Sequence, residues 1–368
     1  MNINYRVENQ NCSISVRKKL DTSIISKIEL LKSDKRILFV YDKNINIKIV
    51  DKLIKILKSS GCLVIALKFV GNKKNKNEKS LFNLIDIMIK NKFTKKSVVI
   101  SMGGGVLGDV SALAASLYYR GLIYFNIPTT MTSIIDSCVG GKTAINYKNI
   151  INSIGNYYHP KGVFIYNEII QDIPKREFIS GIPEIIKCGI IKKNRILKIL
   201  ETKKEKVLSR DYQTIANLCK ETLKTKIQFF QSDVYEKSKR LTLNFGHTFA
   251  HAIEMATEEI SNKEIFRHGE AVGLGILCEI YYSSPKKSKL LINISNLLKK
   301  YNLPTKIDHG IFQKKKQILL DKIFKCIFLD KKRISRFPRY ISIKKLHNPQ
   351  IKELEDSNLI VQTINKFI

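Results

Sequence analysis

The chain has 368 residues, more than one compact core usually holds and enough for two, and its 44% hydrophobic content is ordinary for a globular protein. Lys and Arg number 65 against 32 Asp and Glu, and the resulting net charge of +33 would by itself point to nucleic acid or an anionic membrane. Neither partner is expected: the excess runs along the whole chain beside abundant Ile and Asn and no Trp, as an AT-rich coding sequence produces, and no nucleic-acid-binding motif accompanies it.

The seven cysteines are odd in number and lack C-x-x-C spacing, so neither a disulfide framework nor a thiolate zinc site is expected. The N-terminal MNINYRVENQ has no apolar segment, and no uncharged apolar run reaches the roughly 18 residues of a membrane span. These features predict a cytoplasmic protein with no membrane partner.

In chain order, RILFVYD, CLVIALKFV and SVVIS read as strands, separated by helical patterns from Asn46 to Leu57 and in SLFNLIDIMIK; the polar GNKKNKNEKS at 71–80 reads as a loop. Strands that alternate with helices imply parallel pairing through crossovers. After Pro174 the 3.6-residue period dominates, in SGIPEIIKCGII, YQTIANLCKETLKTKIQFF, LTLNFGHTFAHAIEMA, HGEAVGLGILCEIYYS and KLLINISNLLKKY. The expected architecture is an α/β Rossmann-like nucleotide-binding domain over 1–174 and a mainly α-helical metal-binding domain over 175–368.

Two segments carry chemistry. After SVVIS, Gly103, Gly105 and Gly108 satisfy G-x-G-x-x-G, in which glycines let a backbone approach a pyrophosphate and a helix N-terminus supplies free N–H groups. The loop follows several strands rather than the first, and Asp42 precedes it, so it reads either as a nucleotide loop in a different topological setting or as a tight turn. The second is a set of metal-ligating residue types: His247 and His251 lie four apart on one helical face, His268 opens another helix, and Glu184 lies on a third with Lys187 one turn on. A single histidine on a half-apolar helix is usually a hydrogen-bonded core residue, and His159, His309 and His347 are read that way or as surface residues. Three histidines and a carboxylate on neighbouring apolar helices outweigh that reading.

The segments MGGGVLGDV, YYRG, IPTT, DSCVGGKTAIN, SGIPEIIKCG, RLTLNFGHTFAHAIE, HGEAV and DKK occur in the order found in the 3-dehydroquinate synthases of the sugar-phosphate cyclase superfamily, and the chain resembles that family from about Asp42 to Lys332. The resemblance implies NAD and a divalent metal, zinc or cobalt, held by Glu184, His247 and His268, with His251 on the substrate side. It implies Asp136, Lys142, Asn152, Lys187, Lys226, Arg240 and Asn244 as substrate contacts, and Arg120 delivered from a neighbouring subunit of a homodimer. Asp42, Lys79, Gly104, Gly105, Asp109, Thr129 and Thr130 match dinucleotide-contacting positions, beside Asp136 and Lys142. The implied reaction converts 3-deoxy-D-arabino-heptulosonate 7-phosphate to 3-dehydroquinate and phosphate, by transient oxidation, phosphate elimination, reduction and intramolecular aldol closure. Rival readings are another cyclase of the 2-deoxy-scyllo-inosose synthase kind and a metal-dependent polyol dehydrogenase.

Three positions depart from the family pattern. Ile151 stands where the family has a lysine, Lys76 where it has an acid, and Asp172 where it has a threonine. Loss of the lysine predicts weak NAD binding that a lysine at 151 would tighten, with Lys148 as the nearby stand-in.

Overall fold

The computed structural model describes residues 1–148, 150–285, 288–307, 310–329 and 337–368. His309 and the DKK segment at Asp330, Lys331 and Lys332 lie outside the described residues. The chain divides into two compact units, Met1–Pro174 with Ile215–Tyr235, and Lys175–Thr214 with Glu236–Ile368. Ile215–Tyr235 therefore groups with the first unit, where a cut after Pro174 placed it in the second.

Among the described residues, nine strands build the first unit: β1 (Asn2–Val7), β2 (Gln10–Arg17), β3 (Arg36–Asp42), β4 (Leu63–Phe69), β5 (Val98–Gly103), β6 (Ile123–Pro128), β7 (Lys142–Tyr147), β8 (Ile150–Tyr157) and β9 (Gly162–Tyr166). Seven form one sheet in the order β1-β2-β9-β6-β5-β3-β4, parallel except for the β1–β2 hairpin, while β7 and β8 pair as a separate antiparallel hairpin. The β1–β2 edge was not apparent in the sequence, because Ile3, Tyr5 and Val7 of β1 lie among polar residues and the buried Ser13 and Ser15 interrupt the apolar residues of β2.

Side-chain alternation explains why the inner strands are apolar on both faces. Ile37 and Phe39 of β3 join Val98, Ile100 and Met102 of β5 on one side, against Val50, Leu53 and Leu57 of the helix Ile47–Ser59. Leu38 and Val40 join Val99 on the other, against Leu81, Leu84 and Met88 of the helix Glu78–Lys90 and Leu107, Val110 and Leu113 of the helix Gly105–Leu117. Both amphipathic helices bury positions i, i+3 or i+4, and i+7, the stripe that a 3.6-residue period presents to a sheet.

From β3 the chain goes outward to β4, then crosses back so that β5 and β6 follow on the other side of β3. The β3/β5 boundary is thus a topological switch point, where ligands bind outside the carboxyl ends of the strands. Asp42 ends β3, Gly103 ends β5, and Thr129 and Thr130 follow β6, so three segments distant in sequence meet at one end of the sheet.

The second unit is helical, with a small hairpin of β10 (Arg339–Ser342) and β11 (Gln350–Glu353). The helix Ile182–Ile191 is buried at every position, with Pro183 in its first turn where no intrahelical N–H is lost. The helices His247–Ser261 and His268–Ser283 approach closely because a Cβ on Gly275 would lie 1.9 Å from the Gly246 carbonyl oxygen. Gly246 itself sits at φ 84°, a conformation glycine adopts without steric cost. Among the described residues no helix is long and apolar enough to cross a membrane.

Candidate active site

Three helices of the second unit bring Glu184, His247 and His268 together, so that their ligand atoms lie within 4.8 Å of one another. Glu184 Oε1 is 3.3 Å from His247 Nε2 and 3.6 Å from His268 Nε2. Ligands about 2.1 Å from one tetrahedral ion stand about 3.4 Å apart, so this spacing fits a single zinc-sized cation.

Hydrogen bonding on the far side of each ring orients it. His247 Nδ1 lies 3.3 Å from the Phe245 carbonyl, and His268 Nδ1 lies 3.0 Å from Glu254 Oε2. With Nδ1 of each ring engaged there, both Nε2 atoms face Glu184. The Glu184 carboxylate is 1% exposed, with the Lys187 ammonium against Oε2 and the two imidazoles against Oε1. Two imidazole nitrogens and a carboxylate oxygen facing one another at this distance require a proton or a metal between them. The donor set, two nitrogens and one carboxylate oxygen, suits a catalytic zinc that keeps a further position open.

The electrostatics distinguish the two rings. Burial opposes ionisation of Glu184, yet Lys187, whose Nζ is 2.5 Å from Oε2, and His247 hold its carboxyl well below the usual range. Burial and Lys187 push His247 down toward the neutral, metal-binding form. His268 is pushed up to about 10, because its bonds to Glu184 and Glu254 outweigh burial.

His251 is exposed one turn beyond His247, its ring centroid 5.5 Å from that of His247 and 5.9 Å from that of His268. The face carrying His247 and His251 continues to Glu254, so the pairing of two histidines four apart is really a row of three residues. Its last member orients the ligand His268 instead of binding beside His247. Arg240 is buried in the short helical segment Lys239–Asn244, and Asn244 donates through Nδ2 to Glu236 Oε1 at 3.0 Å.

In the first unit, Asp42 is buried and accepts the Asn44 and Gly71 amides at 2.8 and 2.9 Å, which organises the polar loop. Thr129 N–H donates to the Gly103 carbonyl at 2.9 Å, and a Cβ on Gly104 would lie 3.2 Å from Thr130 Cγ2, so the glycine loop packs on the end of β6. Gly105 opens the following helix, and Asp109 sits one turn in, paired with Lys76 at 2.5 Å. Lys226 donates to the Asp136 carbonyl at 3.0 Å and pairs with its carboxylate. Lys142 and Asn152 are exposed on the β7–β8 hairpin, Lys79 is exposed on the first turn of its helix, and Arg120 is exposed at φ 61° in a turn with Tyr119 and Gly121 also at positive φ.

A family model described as 3-dehydroquinate synthase N-terminal matches residues 66–180, and one described as 3-dehydroquinate synthase C-terminal matches residues 181–333. The 3-dehydroquinate synthase of Clostridium acetobutylicum is 31% identical over 352 residues, covering 93% of each chain. The chain belongs to the 3-dehydroquinate synthase family.

Solved cyclases share the fold. The 2-epi-5-epi-valiolone synthase of Streptomyces hygroscopicus subsp. jinggangensis 5008, with NAD+ and Zn2+ bound, matches at TM-score 0.85 and 20% identity over 99% of this chain and 98% of its own. A 2-deoxy-scyllo-inosose synthase complexed with carbaglucose-6-phosphate, NAD+ and Co2+ matches at TM-score 0.83 and 20% identity, covering 100% of both chains. Within the 3-dehydroquinate synthase frame, two carboxylates escaped the sequence reading. Glu254 was signalled by its spacing from His247 and His251, seven and three residues. Glu279, 0% exposed, had no local signal beyond being a charge within an apolar helix.

Proposed function

We propose that this chain is an NAD- and metal-dependent 3-dehydroquinate synthase that converts 3-deoxy-D-arabino-heptulosonate 7-phosphate to 3-dehydroquinate and phosphate without net redox. The observation that carries the metal assignment is the convergence of Glu184 Oε1, His247 Nε2 and His268 Nε2, from three helices, at the spacing of ligands around one ion. Those three residues would hold the zinc or cobalt, which when bound lowers the cost of negative charge on a substrate oxygen, while NAD serves as a transient hydride acceptor.

The chain's own side chains are assigned to binding and positioning. Lys187 and Arg240, both buried, are fixed cations for an anionic substrate, and fixed donors need little reorganisation as charge develops. Lys226, held by Asp136, and Lys142 are assigned the same role, with Asn152 and Asn244 as amide contacts. His251 is assigned as the substrate-side imidazole. Asp42, the Gly104–Gly105 turn, Asp109, Thr129, Thr130 and Lys79 are assigned to NAD, supported by their place at the switch point of the parallel sheet.

A homodimer is part of this reading, with Arg120 given to the neighbouring copy; its exposure on a left-handed turn supports that role. A cytoplasmic setting is supported by seven free, buried cysteines.

Phosphate release from the heptulosonate phosphate, a hexose phosphate and a seven-carbon sugar phosphate lacking the carboxylate tests the substrate. Release from the first alone is expected; preference for either of the others, or NADH accumulation with glycerol, would favour a rival.

A further inference from the structure

The loop 71–80 is pinned at several points. Asp42 accepts the Gly71 amide at 2.9 Å, Asn72 accepts the Asn75 amide at 3.0 Å, and Asn77 accepts the Ser80 amide at 2.9 Å. In the middle, the Lys76 carbonyl accepts the Asn146 amide of β7 at 2.8 Å. The Lys76 side chain, 13% exposed, runs inward, with Nζ 2.5 Å from Asp109 Oδ2 and 2.5 Å from Asn152 Oδ1. A lysine held from both backbone and side chain differs from the solvated lysines that a chain of this charge carries in number.

Its partners are the residues assigned to cofactor and substrate. Asp109 lies in the glycine-loop helix, where burial and Asp136 press its carboxyl upward and Lys76 opposes them. The lysine that the family pattern places at 151 is an isoleucine, 62% exposed. Lys148, the stand-in expected from the sequence, instead lies over the Tyr147 ring at 5.5 Å.

We propose that Lys76 is a positioning residue of the cofactor site, supplying from the 71–80 loop the positive charge that the family pattern places at 151. Its ammonium keeps Asp109 as a carboxylate acceptor. By engaging Asn152 Oδ1, it also turns that amide so that Nδ2 is the group presented for donation. The departures at 76 and 151 are then one relocation of charge. A lysine restored at 151 adds a cation where one already stands, which reverses the sequence-based expectation that it would tighten binding.

This inference rests on the assignment of the first unit to NAD. The test is calorimetric titration of NAD into metal-loaded protein without substrate, for wild type, Lys76→Met, Lys76→Arg, Asp109→Asn, the Lys76→Met/Asp109→Asn double variant and Ile151→Lys. Lys76→Met is expected to raise the dissociation constant about tenfold or more, the loss of a charge-assisted hydrogen bond. Lys76→Arg should stay within about threefold of wild type, and the double variant should bind no more weakly than the weaker single variant, as coupled residues do. Ile151→Lys should leave affinity unchanged. Unaltered binding by Lys76→Met, multiplicative losses in the double variant, or tighter binding by Ile151→Lys would overturn the proposal. Zinc content and the unfolding midpoint without NAD separate a local change from a folding defect. A wild-type chain that binds no NAD overturns the nucleotide assignment itself and this proposal with it.

Discussion

His268 Nδ1 bonds to Glu254 Oε2 across 3.0 Å, which directs its Nε2 at Glu184. Glu254 thus acts on the metal site through His268, fixing the ring plane. Replacing it with glutamine keeps the shape and removes the charge that makes the imidazole a better donor. Glu254→Gln should weaken zinc binding about 10- to 100-fold in a chelator competition while leaving the unfolding midpoint of metal-free protein nearly unchanged. An unaltered zinc affinity would refute the role.

His268 is itself one of the three donors that the described residues bring to the cluster. His268→Ala should therefore lose stoichiometric zinc, measured by elemental analysis after dialysis, and lose activity, while NAD titration of the variant still reports binding. Stoichiometric zinc in the variant would remove His268 from the ligand set.

The close approach of the two histidine-bearing helices depends on Gly275. A methyl there would lie 1.9 Å from the Gly246 carbonyl oxygen and 2.9 Å from the Ala250 nitrogen, atoms of the backbone that carries His247. Gly275→Ala should destabilise the protein by about 2 kcal/mol or more and lower zinc affinity together, seen in urea unfolding and metal titration. Wild-type stability in the variant would show that the helices part without cost.

Glu279 is buried and accepts backbone N–H groups from Gly246, Thr248 and Ile341, on either side of His247 and on β10, yet burial still pushes its carboxyl up to about 8 from an ordinary 4.5. The folded chain therefore keeps a proton that the unfolded chain gives up between those values. Stability from this group is full below the lower value and declines as pH rises through the higher one, by about 1.4 kcal/mol per pH unit at most. In urea unfolding of metal-free protein, Glu279→Gln should flatten the stability profile between pH 5.5 and 8 relative to wild type. Parallel profiles would mean that Glu279 is charged in the folded state.

Periodicity and glycine spacing made much of this fold legible. The runs RILFVYD and SVVIS are apolar at consecutive positions, which only a sheet covered on both faces accommodates, and they became β3 and β5 at its centre. The histidines and Glu184 stood out because donor residues are rare inside apolar helices. What the chain order concealed was the crossover: Asp42 precedes the glycine loop in sequence, yet the return of β5 beside β3 places both at the switch point. The β1–β2 hairpin had no such signal, since its cover comes from residues far along the chain. Glu254 and Lys76 show the same limit, because an orienting residue is defined by what it touches, and His268 and Asp109 lie 14 and 33 residues away from them.

The most direct test of the central claim, one divalent cation gripped by Glu184, His247 and His268 in a 3-dehydroquinate synthase, is phosphate release from 3-deoxy-D-arabino-heptulosonate 7-phosphate with NAD, followed through chelation and zinc re-addition. Release that accompanies 3-dehydroquinate formation without NADH accumulation, stops with chelator and returns with zinc is the predicted result. Release that continues unchanged after complete removal of metal would contradict it.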